Sequence, residues 1–176
     1  MITFLNISYL QLGNERQKKA YQVLTDNEII EKLAPYHPIF VGTIPINIDI
    51  ENSDLDIICE ISDKNEFIDK LNALFGSEKD FTIHQSPKFD AIRFSFLMGE
   101  FEIEIFGQNI PTTQQNAYRH MLIEHKLLSA KGEKFRQDII DLKNQGYKTE
   151  PAFAELLGFE GKSTRRIIEI RVLAGR

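Results

Sequence analysis

The stretch AIRFSFLMGEFEIEIF, residues 91 to 106, constrains the fold more than any other part of the chain. Two strand-like runs flank Gly99-Glu100, and a two-residue loop with glycine first signals a type II′ hairpin. Such a loop sets the register: Met98 faces Phe101, Leu97 faces Glu102, Ser95 faces Glu104 and Arg93 faces Phe106. Side chains alternate across a strand, so Phe101, Ile103 and Ile105 share one face. Glu102 and Glu104 share the other with Arg93 and Ser95. One side of this hairpin suits a core, and the other carries charge.

A second segment puts charge where burial is expected. SDLDIICEI, from Ser53, reads as a buried strand, yet Asp54 and Asp56 lie within it. Two residues apart, they project side by side while Leu55 and Ile57 face the opposite way. PIFVGT, from Pro38, reads as another short buried strand ending in Gly42-Thr43. Joined in one sheet with polar faces aligned, these segments gather three or four carboxylates. Each close pair repels by roughly 4 kcal/mol at a surface-like dielectric. A divalent cation removes that cost. Hard oxygen ligands without His or Cys favour Mg²⁺ or Mn²⁺ over Zn²⁺. Two such ions form a clamp for in-line attack at phosphorus, so the acids suit phosphoryl or nucleotidyl transfer. Gly42 lets the backbone approach a ligand closely, and Thr43 can offer its N–H and hydroxyl to a phosphate oxygen. A turn at TIPIN would add N–H donors. Arg93, on the acid face, either reaches a triphosphate or neutralises Glu104.

The rest of the chain supplies helices. Asn14 to Tyr36 reads as two short helices. After an N-cap at Ser62 or Asp63, the residues Phe67, Leu71, Leu74 and Phe75 keep helical spacing. FTIHQ reads as a strand, and INIDIE as a half-exposed strand with Asp49 and Glu51 solvated. After Pro111 the segments TTQQNAYRHMLIEHKLL, KGEKFRQDIIDLKNQ, EPAFAELLGF and STRRIIEIRVL all read as helices. His120 and Glu124, four apart on one of them, read as a surface pair. Lys88 reads as a solvated lysine, and Arg165, Arg166 and Arg171 as helix-end arginines. The expected division is an αβ domain over 1–108 and a helical region over 109–176 packed on it.

Charge and cysteine content narrow the partners. The formal net charge of -5 gives no general attraction for nucleic acid, so long nucleic acid is disfavoured as a partner. The single cysteine, Cys59, sits in an apolar run and reads as a buried structural thiol. No intrachain disulfide can form, which fits a reducing, cytoplasmic setting. The N-terminus does not read as a signal peptide, and the longest uncharged run falls short of a membrane span.

Gly42-Thr43, then Asp54-Leu55-Asp56, then Glu104 on a later strand resembles the signature of the nucleotidyltransferase superfamily typified by DNA polymerase beta. GTIPINIDI, SDLDII and IEIFGQ also look like a bacterial family of unknown function within that superfamily. The broad resemblance covers Pro38 to Gly107, and the narrower one runs on into QQNAYRHM and KTEPAFAELLG. Threonine stands where Ser or Gly is usual, and a hydroxyl is retained. The resemblance implies an α+β fold: a mixed sheet with helices on one face, followed by a C-terminal helical region. It implies Mg²⁺-dependent transfer of a nucleoside monophosphate from an NTP to an acceptor, with pyrophosphate leaving. Asp54 and Asp56 would bind both ions. Glu104 would bind the catalytic ion and assist deprotonation of an acceptor hydroxyl, with Glu102 the alternative third acid. A small-molecule acceptor is favoured, and the C-terminal helices could also make a homodimer contact. The competing expectation is a non-catalytic nucleotide- or partner-binding module on the same fold.

Overall fold

The computed structural model describes residues 3–86 and 90–158. Its strands are β1 (Ile39–Val41), β2 (Leu55–Glu60), β3 (Lys79–Ser86), β4 (Ala91–Met98) and β5 (Phe101–Gln108). They form one mixed sheet in the order β1-β2-β5-β4-β3. Only the β2–β5 pairing is parallel; the other three are antiparallel. The β4–β5 hairpin takes the register expected of a two-residue loop, from Met98 opposite Phe101 through Ser95 opposite Glu104 to Arg93 opposite Phe106. Gly99 has a φ of +63°, the left-handed value that the first turn position requires.

The helices are α1 (Glu15–Asp26), α2 (Ile29–Lys32), α3 (Lys64–Phe75), α4 (Asn116–Lys131), α5 (Glu133–Asn144) and α6 (Thr149–Leu157). Local chemistry starts two of them. Asn14 and Gln17 form a reciprocal capping box on α1. The Asp63 carboxylate accepts from the Asn65 and Glu66 N–H groups at the start of α3. The buried stripe Phe67, Leu71 and Phe75 of α3 then meets the apolar sheet face of Leu55, Ile57, Phe94, Phe96, Ile103 and Ile105. Phe75 stacks on Phe96 with ring centroids 4.9 Å apart, and Phe67 meets Phe94 edge-on at 5.5 Å. Cys59 is fully buried in this core, where desolvation pushes its thiol pKa up.

A second core lies on the opposite face, over β1 and β2. There Ile39, Val41 and Ile58 pack with Met121 and Leu128 of α4, Ile139 of α5 and Phe153 of α6. Phe4 joins the same cluster, so residues from both sides of position 108 share it.

The segment INIDIE is not a strand. Ile44 to Asn47 form turns, and no strand is present between Val41 and Leu55. The alternation that suggested a strand has another cause: Ile44 enters the first core, while Ile46 and Ile48 enter the second. The loop's carbonyls are satisfied by side chains from helices. Gln17 donates to Ile44 O, Arg136 to Ile46 O and Asn47 O, and Lys143 to Ile48 O. Asp49 is not solvated either; its carboxylate lies 3.3 Å from the Arg16 guanidinium, whereas Glu51 is exposed. Lys88 and the STRRIIEIRVL segment with its three arginines lie outside the described residues. Among the described residues no helix is long and apolar enough to cross a membrane.

Candidate active site

Register alone brings the central acids together. Val41 is opposite Asp56, Asp56 beside Glu104, Glu104 opposite Ser95, and Ser95 opposite Thr82. These five residues make one row across all five strands. Asp56 therefore projects from the sheet next to Glu104, on the face away from the first core. Asp54, just ahead of β2, completes the group: one carboxylate oxygen from each of Asp54, Asp56 and Glu104 lies within 4.8 Å of the others. Among the described residues this is the only set of three or more His, Cys, Asp or Glu side chains that converges so closely. Glu102 shares the face but is exposed and outside the group.

The carboxylates feel one another. Burial, then the charges of Glu104 and Asp54, push the Asp56 pKa up to about 7, with Lys143 opposing. Burial also raises Glu104, which Arg93 counteracts and Asp54 and Glu102 reinforce. Asp54 is raised by burial and by Glu102, again against Arg93. Arg93 Nη1 donates to Glu104 Oε1 at 2.9 Å, so this arginine neutralises the third acid on the exposed side of the sheet. Three hard oxygen donors, mutually repelling and with one close cation among them, fit a divalent metal ion held by Asp54, Asp56 and Glu104.

Gly42 is shaped by this site. Its φ is +88°, and a Cβ there would lie 2.2 Å from Asp56 Oδ2. The glycine is therefore required twice, by backbone conformation and by the carboxylate that occupies the space. Thr43 follows it. Its hydroxyl donates to Ser53 Oγ at 3.2 Å, and Ser53 Oγ also accepts the Ile50 N–H at 2.9 Å. Those bonds tie the two ends of the loop between β1 and β2 and hold Asp54 beside Asp56.

Gly42, Thr43, Asp56 and Glu104 line a cavity of about 650 Å³. Its other wall comes from the helices and contains residues that sequence reasoning missed or misread. Glu124 and His120 are not a surface pair. Glu124 is 8% exposed and lines the cavity with His120, Glu150 and Lys143. His120 Nδ1 lies 3.5 Å from Glu150 Oε1. Burial, then Glu150, push the Glu124 pKa up to about 7, opposed by His120 and Lys143. Lys143 is 7% exposed; burial lowers its pKa to about 8, while Asp49, Glu124 and Asp56 hold it up. A signal was present: Met121, Glu124 and Leu128 form one buried stripe of α4, so Glu124 occupies an apolar position. Lys143 follows buried Ile139 by one turn in the same way.

The mixed sheet and its helices share their fold with solved nucleotidyltransferase-like structures. A cytoplasmic RNA terminal U-transferase superposes with a TM-score of 0.53 at 13% identity, over 74% of this chain and 41% of that one. The Cid1 poly(U) polymerase with magnesium and 3′-dATP bound gives 0.53 at 13% identity, with the same 74% and 41% coverage. A chain of the GLD-2/RNP-8 complex gives 0.51 at 12% identity, over 84% of this chain and 60% of that one. The chain thus spans about two fifths to three fifths of the length of these structures. No curated protein matches it. By sequence the chain belongs to the family described as "Domain of unknown function (DUF4269)", which it matches over residues 22–170.

Proposed function

We propose that the protein is a Mg²⁺- or Mn²⁺-dependent nucleotidyltransferase that moves a nucleoside monophosphate from a nucleoside triphosphate to a small-molecule acceptor. The observation that carries this reading is the convergence of the Asp54, Asp56 and Glu104 carboxylates, of which Asp56 and Glu104 line a cavity that also opens onto Gly42 and Thr43. The neighbour solved with magnesium and 3′-dATP supports the same kind of ligand pair here.

In this reading the acceptor oxygen bonds to the α-phosphorus. The bond from that phosphorus to the bridging oxygen breaks, and pyrophosphate leaves. The acceptor hydroxyl proton passes to Glu104. The bound cation supplies charge neutralisation at the phosphates and a lowered pKa for the attacking oxygen. Gly42 lets the triphosphate come close to the backbone, Thr43 presents its N–H to a phosphate oxygen, and Arg93 orients Glu104. A net charge of -5 disfavours a long polyanionic acceptor. The buried, unbridged Cys59 suits a cytoplasmic setting.

Thermal shift with each nucleoside triphosphate, with and without Mg²⁺, tests the binding half. Stabilisation is expected only when both are present and is expected to vanish in Asp56→Asn. Pyrophosphate release with hydroxylated acceptors tests the chemical half. Triphosphate binding that ignores Mg²⁺ overturns the metal-centred reading. Mg²⁺-dependent binding without release across the acceptors would favour a non-catalytic nucleotide-binding module.

A further inference from the structure

Asp56 and Glu104 owe their adjacency to the ladder, since β2 and β5 pair them directly. Asp54 has only the loop to hold it. It lies one residue ahead of β2, at the end of the irregular stretch that starts at Gly42. A turn closes just before it, where the Ser53 N–H donates to Ile50 O at 2.9 Å. Backbone carbonyls in such a loop need donors from elsewhere, and whatever supplies them fixes the path of the chain.

Arg16, in the first turn of α1, supplies them here. Its Nη2 donates to Glu51 O at 2.8 Å and to Ser53 O at 3.1 Å. Its Nε is buried and lies 3.3 Å from Asp49 Oδ2 in the same loop. Its guanidinium carbon sits 4.9 Å from the ring centre of Phe101, the first residue of β5. A single planar group therefore touches three loop residues and the strand that carries Glu104. A lysine ammonium, a point charge without a flat face, cannot make that set of contacts together. Gln17, the next residue, takes the other end of the loop by donating to Ile44 O at 2.9 Å. The capping box between Asn14 and Gln17 fixes this turn of helix, so both ends of the loop are gripped from one rigid element. The span matched by the family begins at residue 22, beyond Arg16.

We infer that Arg16 is a positioning residue: it sets Asp54 against Asp56 and Glu104 for metal binding. The first turn of α1 then belongs to the site, although Arg16 does not line the cavity. This role rests on the transferase reading only for its metal; the hold on Asp54 stands on the contacts themselves. Groups that orient metal ligands from outside commonly set affinity by 10- to 100-fold.

The test uses the full chain, well below its unfolding transition. Arg16→Met keeps the length of the side chain and removes its charge and donors. Hydrogen–deuterium exchange of residues 50–54 is followed on metal-free protein, and electron paramagnetic resonance of free Mn²⁺ gives the dissociation constant. In Arg16→Met both the exchange rate of 50–54 and the Mn²⁺ dissociation constant are expected to rise at least about tenfold. Asp63→Ala, destabilised but far from the loop, is expected to change neither by more than about twofold. Arg16→Lys keeps the charge without the planar fork. It is expected to weaken Mn²⁺ binding at least about threefold, and it decides the question if Arg16→Met does not fold. Unchanged exchange in 50–54 or unchanged Mn²⁺ affinity in the folded variant overturns the inference, and so does an equal fall in Asp63→Ala. Faster exchange in Arg16→Met, with no Mn²⁺ binding by the wild-type protein, overturns the metal-centred reading instead and leaves the hold on Asp54 standing.

Discussion

Asp56 is flanked in the sheet by Val41 on one side and Glu104 on the other, with Gly42 against its carboxylate. Metal-free, its charged form is disfavoured by burial and by two neighbouring acids. Asp56→Asn is therefore expected to raise the melting temperature without metal at pH 8. Each kcal/mol gained is worth about 2–4 °C at this chain length. The same variant should lose any stabilisation by Mn²⁺, and scanning calorimetry with and without the ion reads both effects. Gly42→Ala acts on the same carboxylate from the backbone side. With a φ of +88° and Oδ2 2.2 Å from the new Cβ, it should cost about 1–3 kcal/mol and displace Asp56. Chemical denaturation gives the first effect, and a weakened Mn²⁺ response gives the second. Glu124 tests the sign of a buried acid. Its pKa is raised to about 7 in the folded protein, so the fold binds this proton more tightly than the unfolded chain does. The stability it contributes is complete below about pH 4.5 and is lost as pH rises through about 7. Glu124→Gln should match wild type near pH 4 and exceed it by about 3 kcal/mol at pH 8, measured as urea midpoints across pH.

At the scale of elements, the loop between β1 and β2 matters most. It has no strand partner, and Gln17, Arg136 and Lys143 hold its carbonyls from α1 and α5. Arg136→Met is expected to leave Ile46 O and Asn47 O short of donors, destabilise the protein by about 1–3 kcal/mol and blunt the Mn²⁺ response. The N-cap of α3 is the control. Asp63 caps a helix that packs on the opposite face from the acids, so Asp63→Ala should cost about 1 kcal/mol and leave the Mn²⁺ response unchanged. A fall in that response for Asp63→Ala would show that it tracks general stability and not the site. The hairpin was fully legible in sequence because a two-residue turn sets register through adjacent residues. The loop was misread because three buried isoleucines at alternate positions mimic a strand when each belongs to a core the sequence does not display.

For the whole molecule, the sheet serves two cores, and the site lies where the second one ends. One cavity thereby joins the acids of β2 and β5 to the helical wall of α4, α5 and α6. On the transferase reading proposed above, the net charge of -5 favours a small acceptor. A labelled oligo(U) RNA in about 150 mM salt is expected to show no binding at micromolar protein by fluorescence anisotropy, since phosphate neutralisation dominates such affinity. Saturable binding there would shift the acceptor toward RNA. What the amino-acid sequence determined by itself is short-range: the hairpin register, the shared face of Asp54 and Asp56, an N-cap at Ser62 or Asp63 and the apolar face opposite the acids. Alternation and turn chemistry act between neighbours, so they can be read without coordinates. The tertiary structure decided that β2 lies parallel to β5 with Asp56 beside Glu104 and Glu102 outside the group, and that Glu124, Gln115 and Lys143 face the same cavity. Those pairings depend on which surfaces close over which core. The bonds that hold them join residues as far apart as Ile48 and Lys143, where no local pattern connects the two.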